Sequence, residues 1–268
     1  MAVLLLASGC GSDDPQDDAV ASEPASTSSS APPGLRLVVV GDSIPYNLST
    51  DCSGCIGFIE TYAAKVEEAT GQRVDVVNLS EHTGLTVEGL TGEMGRLTDA
   101  LGQADVIVVA IAHNSTELNS DRPCGVPLAA DEMPRWSAVD SGCARHAAAA
   151  YRPKYARLFH DVAELRSGSP TILRTLNRYN DFIGWEEGHL SPAEDRRTKL
   201  VLNAWNAMLC DTAESAGFGC VDVYHAFNGP DGLQPSGDLL AEDYTHPSQK
   251  GNDVISDVLT EMGFEPLG

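Results

Sequence analysis

The run Leu35-Arg36-Leu37-Val38-Val39-Val40, closed by Gly41-Asp42-Ser43, constrains the fold most. It is too short for a helix, and its β-branched, mostly apolar make-up fits a strand buried in a parallel sheet. Gly41 supplies the backbone freedom for a sharp exit. Ser43 then stands at the carboxyl end of a strand, where open α/β sheets place their ligands. If residues 55–70 form the next helix, it also stands near a helix amino end, which favours negative charge. A nucleophile suits that place, and so does a small polar residue that only caps a turn.

The rest of the chain repeats the alternation. Apolar positions at Phe58, Ile59, Tyr62, Ala63, Val66 and Ala69 have helical spacing and stop at Gly71. Residues 74–79 read as a second strand, 80–84 as a loop, 87–101 as a helix and 105–111 as a third strand. Residues 116–145, with Pro123, Pro127 and Pro134, read as a long loop insertion. A helix over 146–166 follows, with Pro153 as its start or a break. Then come strand 171–176, loop 177–193, helix 194–216, strand 220–224, a turn-rich loop and a final helix over 248–262. Such alternation predicts a doubly wound parallel sheet. Right-handed crossovers bring the strand-to-helix loops to one edge, and with them Ser43, Gly84, Asn114, Asp243 and His246.

Charge and composition exclude some functions. With 17 basic against 39 acidic residues, the formal charge of -22 repels nucleic acid and opposes docking on anionic lipid. The apolar run Ala2 to Ala7 before Ser8-Gly9-Cys10 looks like a lipoprotein signal, with Cys10 as the lipidated residue. Residues 11–34, rich in Ser, Ala, Pro and acids, are expected to be a disordered tether. The domain then spans 35–268. The expected location is exported, on the cell surface or secreted, with membrane contact through a lipid anchor only. A monomer is expected.

Seven cysteines leave six once Cys10 is set aside, an even number that suits disulfides in an exported domain. Proximity favours Cys52–Cys55, Cys124–Cys143 and Cys210–Cys220. Cys52-Ser53-Gly54-Cys55 also has the spacing of a redox pair; a structural staple beside the Ser43 loop is the preferred reading. Zinc at these cysteines is not expected, since there is no second CxxC and no nearby histidine pair.

Asp243-Tyr244-Thr245-His246-Pro247 carries the second signal. A carboxylate three residues before a histidine can sit beside its ring and fix its tautomer, while the histidine takes a serine proton and returns it to a leaving group. Pro247 suits the first turn of the last helix. Gly84 offers a backbone N–H and Asn114 a side-chain amide for an oxyanion. Each of these alone has a plainer structural reading.

Together, Gly41-Asp42-Ser43, Gly84, Asn114 and Asp243-x-x-His246 resemble, in order and spacing, the SGNH or GDSL-type hydrolases, over about residues 35–262. The resemblance implies a flavodoxin-like three-layer α/β sandwich with a central five-stranded parallel sheet and no metal or organic cofactor. It implies Ser43 as nucleophile and His246 and Asp243 as its partners. The oxyanion donors are then the Ser43 N–H, Gly84 and Asn114. It implies a carboxylic ester as substrate: short-chain, lipid or acetylated polysaccharide. An acyltransferase on the same scaffold and a non-catalytic binding lipoprotein are the alternatives. The sequence departs from the family at Ala112-His113-Asn114-Ser115, where the third block usually reads Gly-x-Asn-Asp, and at Ile44, where the name motif has Leu. His82 and His113 are expected on the same rim, as substrate contacts, as tuners of His246 or as plain loop residues. Trp136, Trp185 and Trp205 are candidates to line an acyl or sugar site, or to pack in the core.

Overall fold

In the computed structural model, which describes residues 34–115, 136–184 and 190–268, the first strand β1 (Leu35–Gly41) forms where the apolar run predicts it. It is the second strand of a five-stranded sheet, flanked by β2 (Val74–Asn78) and β3 (Val106–Ala110), with β4 (Ile172–Leu176) and β5 (Gly219–Val221) beyond. Every pairing is parallel, and the order is β2-β1-β3-β4-β5. That is the flavodoxin-like arrangement, whose switch point lies between the loops after β1 and β3.

Alternation along β1 splits the core into two layers. Val38 and Val40 pack with α3 (Val87–Gly92), α4 (Met94–Gly102), α5 (Ser141–Glu164) and α6 (Pro192–Ser215). Leu37 and Val39 pack on the other face with α2 (Phe58–Thr70), α7 (Val223–Asn228) and α8 (Gln249–Glu261). These strand side chains are wholly buried. At about 1.5–3 kcal/mol per large apolar side chain, that is what holds the strand in the middle of the sandwich.

Several boundaries differ from the sequence reading. Ser43 does not lie before the helix at 55–70; it opens its own one-turn helix, α1 (Ser43–Tyr46), and α2 begins only at Phe58. The helix expected over 87–101 is two helices, divided at Glu93 within a glycine-bearing stretch. The helix expected from 146 begins at Ser141, capped by Asp140, and runs through Pro153, which neither starts nor breaks it. Trp136 and Val139 before it are already in the core. The strand expected over 220–224 stops at Val221, because the Asp222 side chain accepts the His225 N–H and caps α7. Pro247 precedes α8, whose cap is Ser248.

Cys52–Cys55 and Cys210–Cys220 are paired as proximity suggests. Cys143 is disulfide-bonded, while Cys124 lies outside the described residues. Also outside them lie the signal with Cys10, the tether, most of the insertion and Trp185. Trp136 and Trp205 are buried in the core.

Candidate active site

Gly41 ends β1 opposite Ala110 of β3, and a Cβ there would lie 2.1 Å from the Ala110 carbonyl oxygen. Only glycine permits this approach, and the chain can then turn outward at Asp42. The Asp42 carboxylate caps α1 by accepting the Ile44 N–H at 3.1 Å, and it accepts the His113 N–H of the third loop, also at 3.1 Å. Burial pushes this carboxyl up to about 6, against the backbone donors at Ile44, His113 and Asn114 and the nearby Arg178. Asp42 thus clamps the Ser43 turn to the loop carrying Asn114.

The second loop is tied in by other bonds. Glu81 N–H donates to the Gly41 carbonyl, and the Asn78 amide donates to the Pro45 carbonyl at 2.7 Å. Gly84 follows with φ +71°, a left-handed conformation that disfavours any side chain. Nothing crowds the space where its Cβ would be, so the glycine answers to conformation and not to packing. Ser43, Gly84 and Asn114 therefore follow three neighbouring strands onto one edge of the sheet.

His246 arrives from the loop before α8. Its Nε2 lies 2.9 Å from Ser43 Oγ and its Nδ1 lies 2.5 Å from Asp243 Oδ2. Tyr244 holds φ 57°, and this turn lets Asp243 Oδ1 accept the N–H groups of Thr245 and His246 while Oδ2 takes the ring. Burial pushes the Asp243 carboxyl up, but the bonds from His246 and the two backbone donors outweigh it and leave it below the usual range. An ionised Asp243 keeps the proton on Nδ1 and leaves Nε2 free to accept from Ser43. The Tyr179 hydroxyl donates to the Thr245 carbonyl at 2.6 Å and anchors this loop to the segment that follows β4.

Ser115, a departure from the family pattern, and His113, at its free position, both have structural roles. Ser115 is buried, accepts the Val87 N–H at 2.8 Å and hydrogen-bonds the Tyr155 hydroxyl. It joins the helix after the Gly84 loop to the loop of Asn114. His113 packs on Tyr179 with ring centroids 4.3 Å apart, and among the described residues its buried Nε2 has no hydrogen-bond partner. Burial, with Arg178 and His246 nearby, holds its pKa well below the ordinary histidine value.

The sequence reading missed Tyr179 and, closer to the chemistry, Asp51. Asp51 Oδ2 lies 2.9 Å from His82 Nε2 and 3.5 Å from His246 Nε2. Together with Thr50, Cys52, Ser53, Ala241, Glu242 and Asp243, it lines an open, acidic cleft of about 580 Å³. Asp222 and His225 form a second Asp-x-x-His pair with Nδ1 2.6 Å from Oδ2, yet among the described residues nothing hydrogen-bonds the other ring nitrogen of His225.

The pattern of the GDSL-like lipase/acylhydrolase family matches residues 39–254. The chain belongs to that family. It is accordingly a carboxylic ester hydrolase. No curated protein sequence matches it. Among solved structures, a lipase from a goat rumen metagenome is 19% identical with a TM-score of 0.65, over 87% of this chain and all of that one. An extracellular lipase from Streptomyces rimosus is 17% identical with a TM-score of 0.56, over 85% and 99%. An acetylxylan esterase from Geobacillus stearothermophilus is 20% identical with a TM-score of 0.55, over 87% and 95%. At these identities the likeness is one of fold. It places this GDSL-like chain among five-stranded parallel α/β hydrolase structures.

Proposed function

We propose that the protein is an exported serine esterase acting through a Ser43–His246–Asp243 triad and an acyl-enzyme. The observation that carries this is the single imidazole bridging Ser43 Oγ and the Asp243 carboxylate. In the Geobacillus acetylxylan esterase, an aspartate and a histidine three residues apart were each replaced in a catalytic mutant, the same spacing as Asp243 and His246.

Ser43 Oγ attacks the ester carbonyl as its proton passes to His246 Nε2. The carbonyl becomes an oxyanion held by the Ser43 and Gly84 N–H groups and the Asn114 amide, each worth about 3–4 kcal/mol. The bond to the alcohol breaks as His246 returns its proton to the leaving oxygen. Water then repeats the cycle on the acyl-enzyme, giving a carboxylic acid and free Ser43.

The substrate is a short-chain acyl ester of a polar alcohol, with acetylated sugars in that class. The polar cleft beside His246 and Asp243 suits such an alcohol, and its carboxylates disfavour anionic ones. Export is supported by the disulfides. Among the described residues no helix is long and apolar enough to cross a membrane. The test is hydrolysis of p-nitrophenyl acetate and butyrate by the protein beside Ser43→Ala and His246→Ala. Each variant is expected to lose about a thousandfold or more while keeping its fold. Equal rates in all three would refute the triad.

A further inference from the structure

We propose that Asp51, His82 and His246 form a site for a zinc-class divalent cation that shuts the enzyme off. The inference rests on reading His246 as the general base. One oxygen of Asp51 and one ring nitrogen from each histidine lie within 4.8 Å of one another. Two of the separations are 2.9 and 3.5 Å, from Asp51 Oδ2 to His82 Nε2 and to His246 Nε2. Ligands about 2.0–2.2 Å from a tetrahedral ion stand roughly 3.3–3.6 Å apart, so a small rotation of the exposed His82 ring completes the set. Two imidazoles and a carboxylate, with water in the fourth position, are a donor set that zinc accepts.

His246 is already prepared as a ligand. Its Nδ1 donates to Asp243 Oδ2 at 2.5 Å, which leaves the Nε2 lone pair free. A carboxylate behind a histidine in this way fixes the ring and raises its basicity toward a metal. The same lone pair receives the Ser43 proton in the reaction, and Ser43 Oγ is 2.9 Å away. A cation on Nε2 therefore removes the base, so metal and catalysis exclude each other. The surrounding Glu242 and Asp243 carboxylates and the charge of -22 raise the local cation concentration.

The test measures binding and rate separately. Zinc is titrated by calorimetry into the chelator-treated full chain, Ser43→Ala, His82→Gln and Asp51→Asn. In parallel, p-nitrophenyl acetate hydrolysis is followed against zinc, magnesium and calcium, each protein normalised to its own metal-free rate. The proposal expects one zinc per chain in the parent and in Ser43→Ala. It expects hydrolysis to fall as that site fills and to recover with chelator, with no effect of magnesium or calcium, which prefer oxygen ligands. His82→Gln and Asp51→Asn should need about tenfold or more zinc for half-inhibition. Lack of saturable one-to-one binding, unchanged half-inhibition in both variants, equal inhibition by magnesium, or binding with undiminished hydrolysis each overturns it. A parent inactive on all esters would sink the hydrolase reading alone, since the calorimetry of parent against His82→Gln still judges the site.

Discussion

Ser115 stands where the family usually has aspartate, and its hydroxyl holds the Val87 N–H and meets the Tyr155 hydroxyl. Ser115→Ala strands a buried donor, so it should destabilise by about 1–3 kcal/mol in denaturant unfolding and lower the hydrolysis rate by loosening the Gly84 loop. His113 gives a pH signature. Its folded pKa lies well below the ordinary value, so the unfolded chain binds the proton more tightly. The His113 contribution to stability is therefore complete above about pH 6.5 and is lost as pH falls below it. The raised Asp42 carboxyl runs the other way, with stability declining as pH rises from 3.8 toward about 6. Comparing His113→Phe with the parent isolates the first effect: the variant should lose less Tm than the parent between pH 7.5 and 5.5. Equal losses would show that His113 does not titrate differently on folding. The second Asp-x-x-His pair shows why that motif alone carries little. Asp222 and His225 reproduce the local geometry of Asp243 and His246, but among the described residues only His246 meets a serine.

At the level of elements, the alternation of strands and helices was legible because burial on both faces leaves continuous apolar runs, as in β1 and β3. Ends were legible where a residue has one mechanical job, as with Gly71, and not where two signals compete. Val221-Asp222-Val223-Tyr224 reads as strand by β-branched content, yet the Asp222 cap ends the strand. Pro153 reads as a helix boundary, yet Tyr151, Tyr155, Leu158 and Phe159 around it are buried and carry α5 through. The placement of Ser43, Gly84, Asn114, Asp243 and His246 in loops at the candidate site was legible because strand ends and motif spacing mark them. Asp51 and Tyr179 were not, because each reaches His246 or its loop through a contact remote in sequence. The Cys210–Cys220 bridge joins the end of α6 to β5. Replacing both cysteines by alanine should cost about 2–4 kcal/mol in unfolding with little change in hydrolysis, since β5 lies three strands along the sheet from β1, which leads to Ser43. Loss of activity in a folded variant would contradict that placement.

For the whole molecule, the charge of -22 sets a field that long-range substrates must cross. An anionic ester should show a high KM at low salt that falls as salt rises, because screening shortens the repulsion to about 10 Å near 0.1 M. A neutral ester of the same acyl group should show no such trend. Matching salt profiles for the two esters would mean that the acidic surface and cleft do not select substrates.

Ser43 as nucleophile and His246 as its base are tested by reaction with a fluorophosphonate followed by peptide mass spectrometry. One adduct per chain is expected, on Ser43, formed far more slowly in His246→Ala and absent in Ser43→Ala. An adduct on another residue, or a folded parent that stays unlabelled, would overturn the assignment.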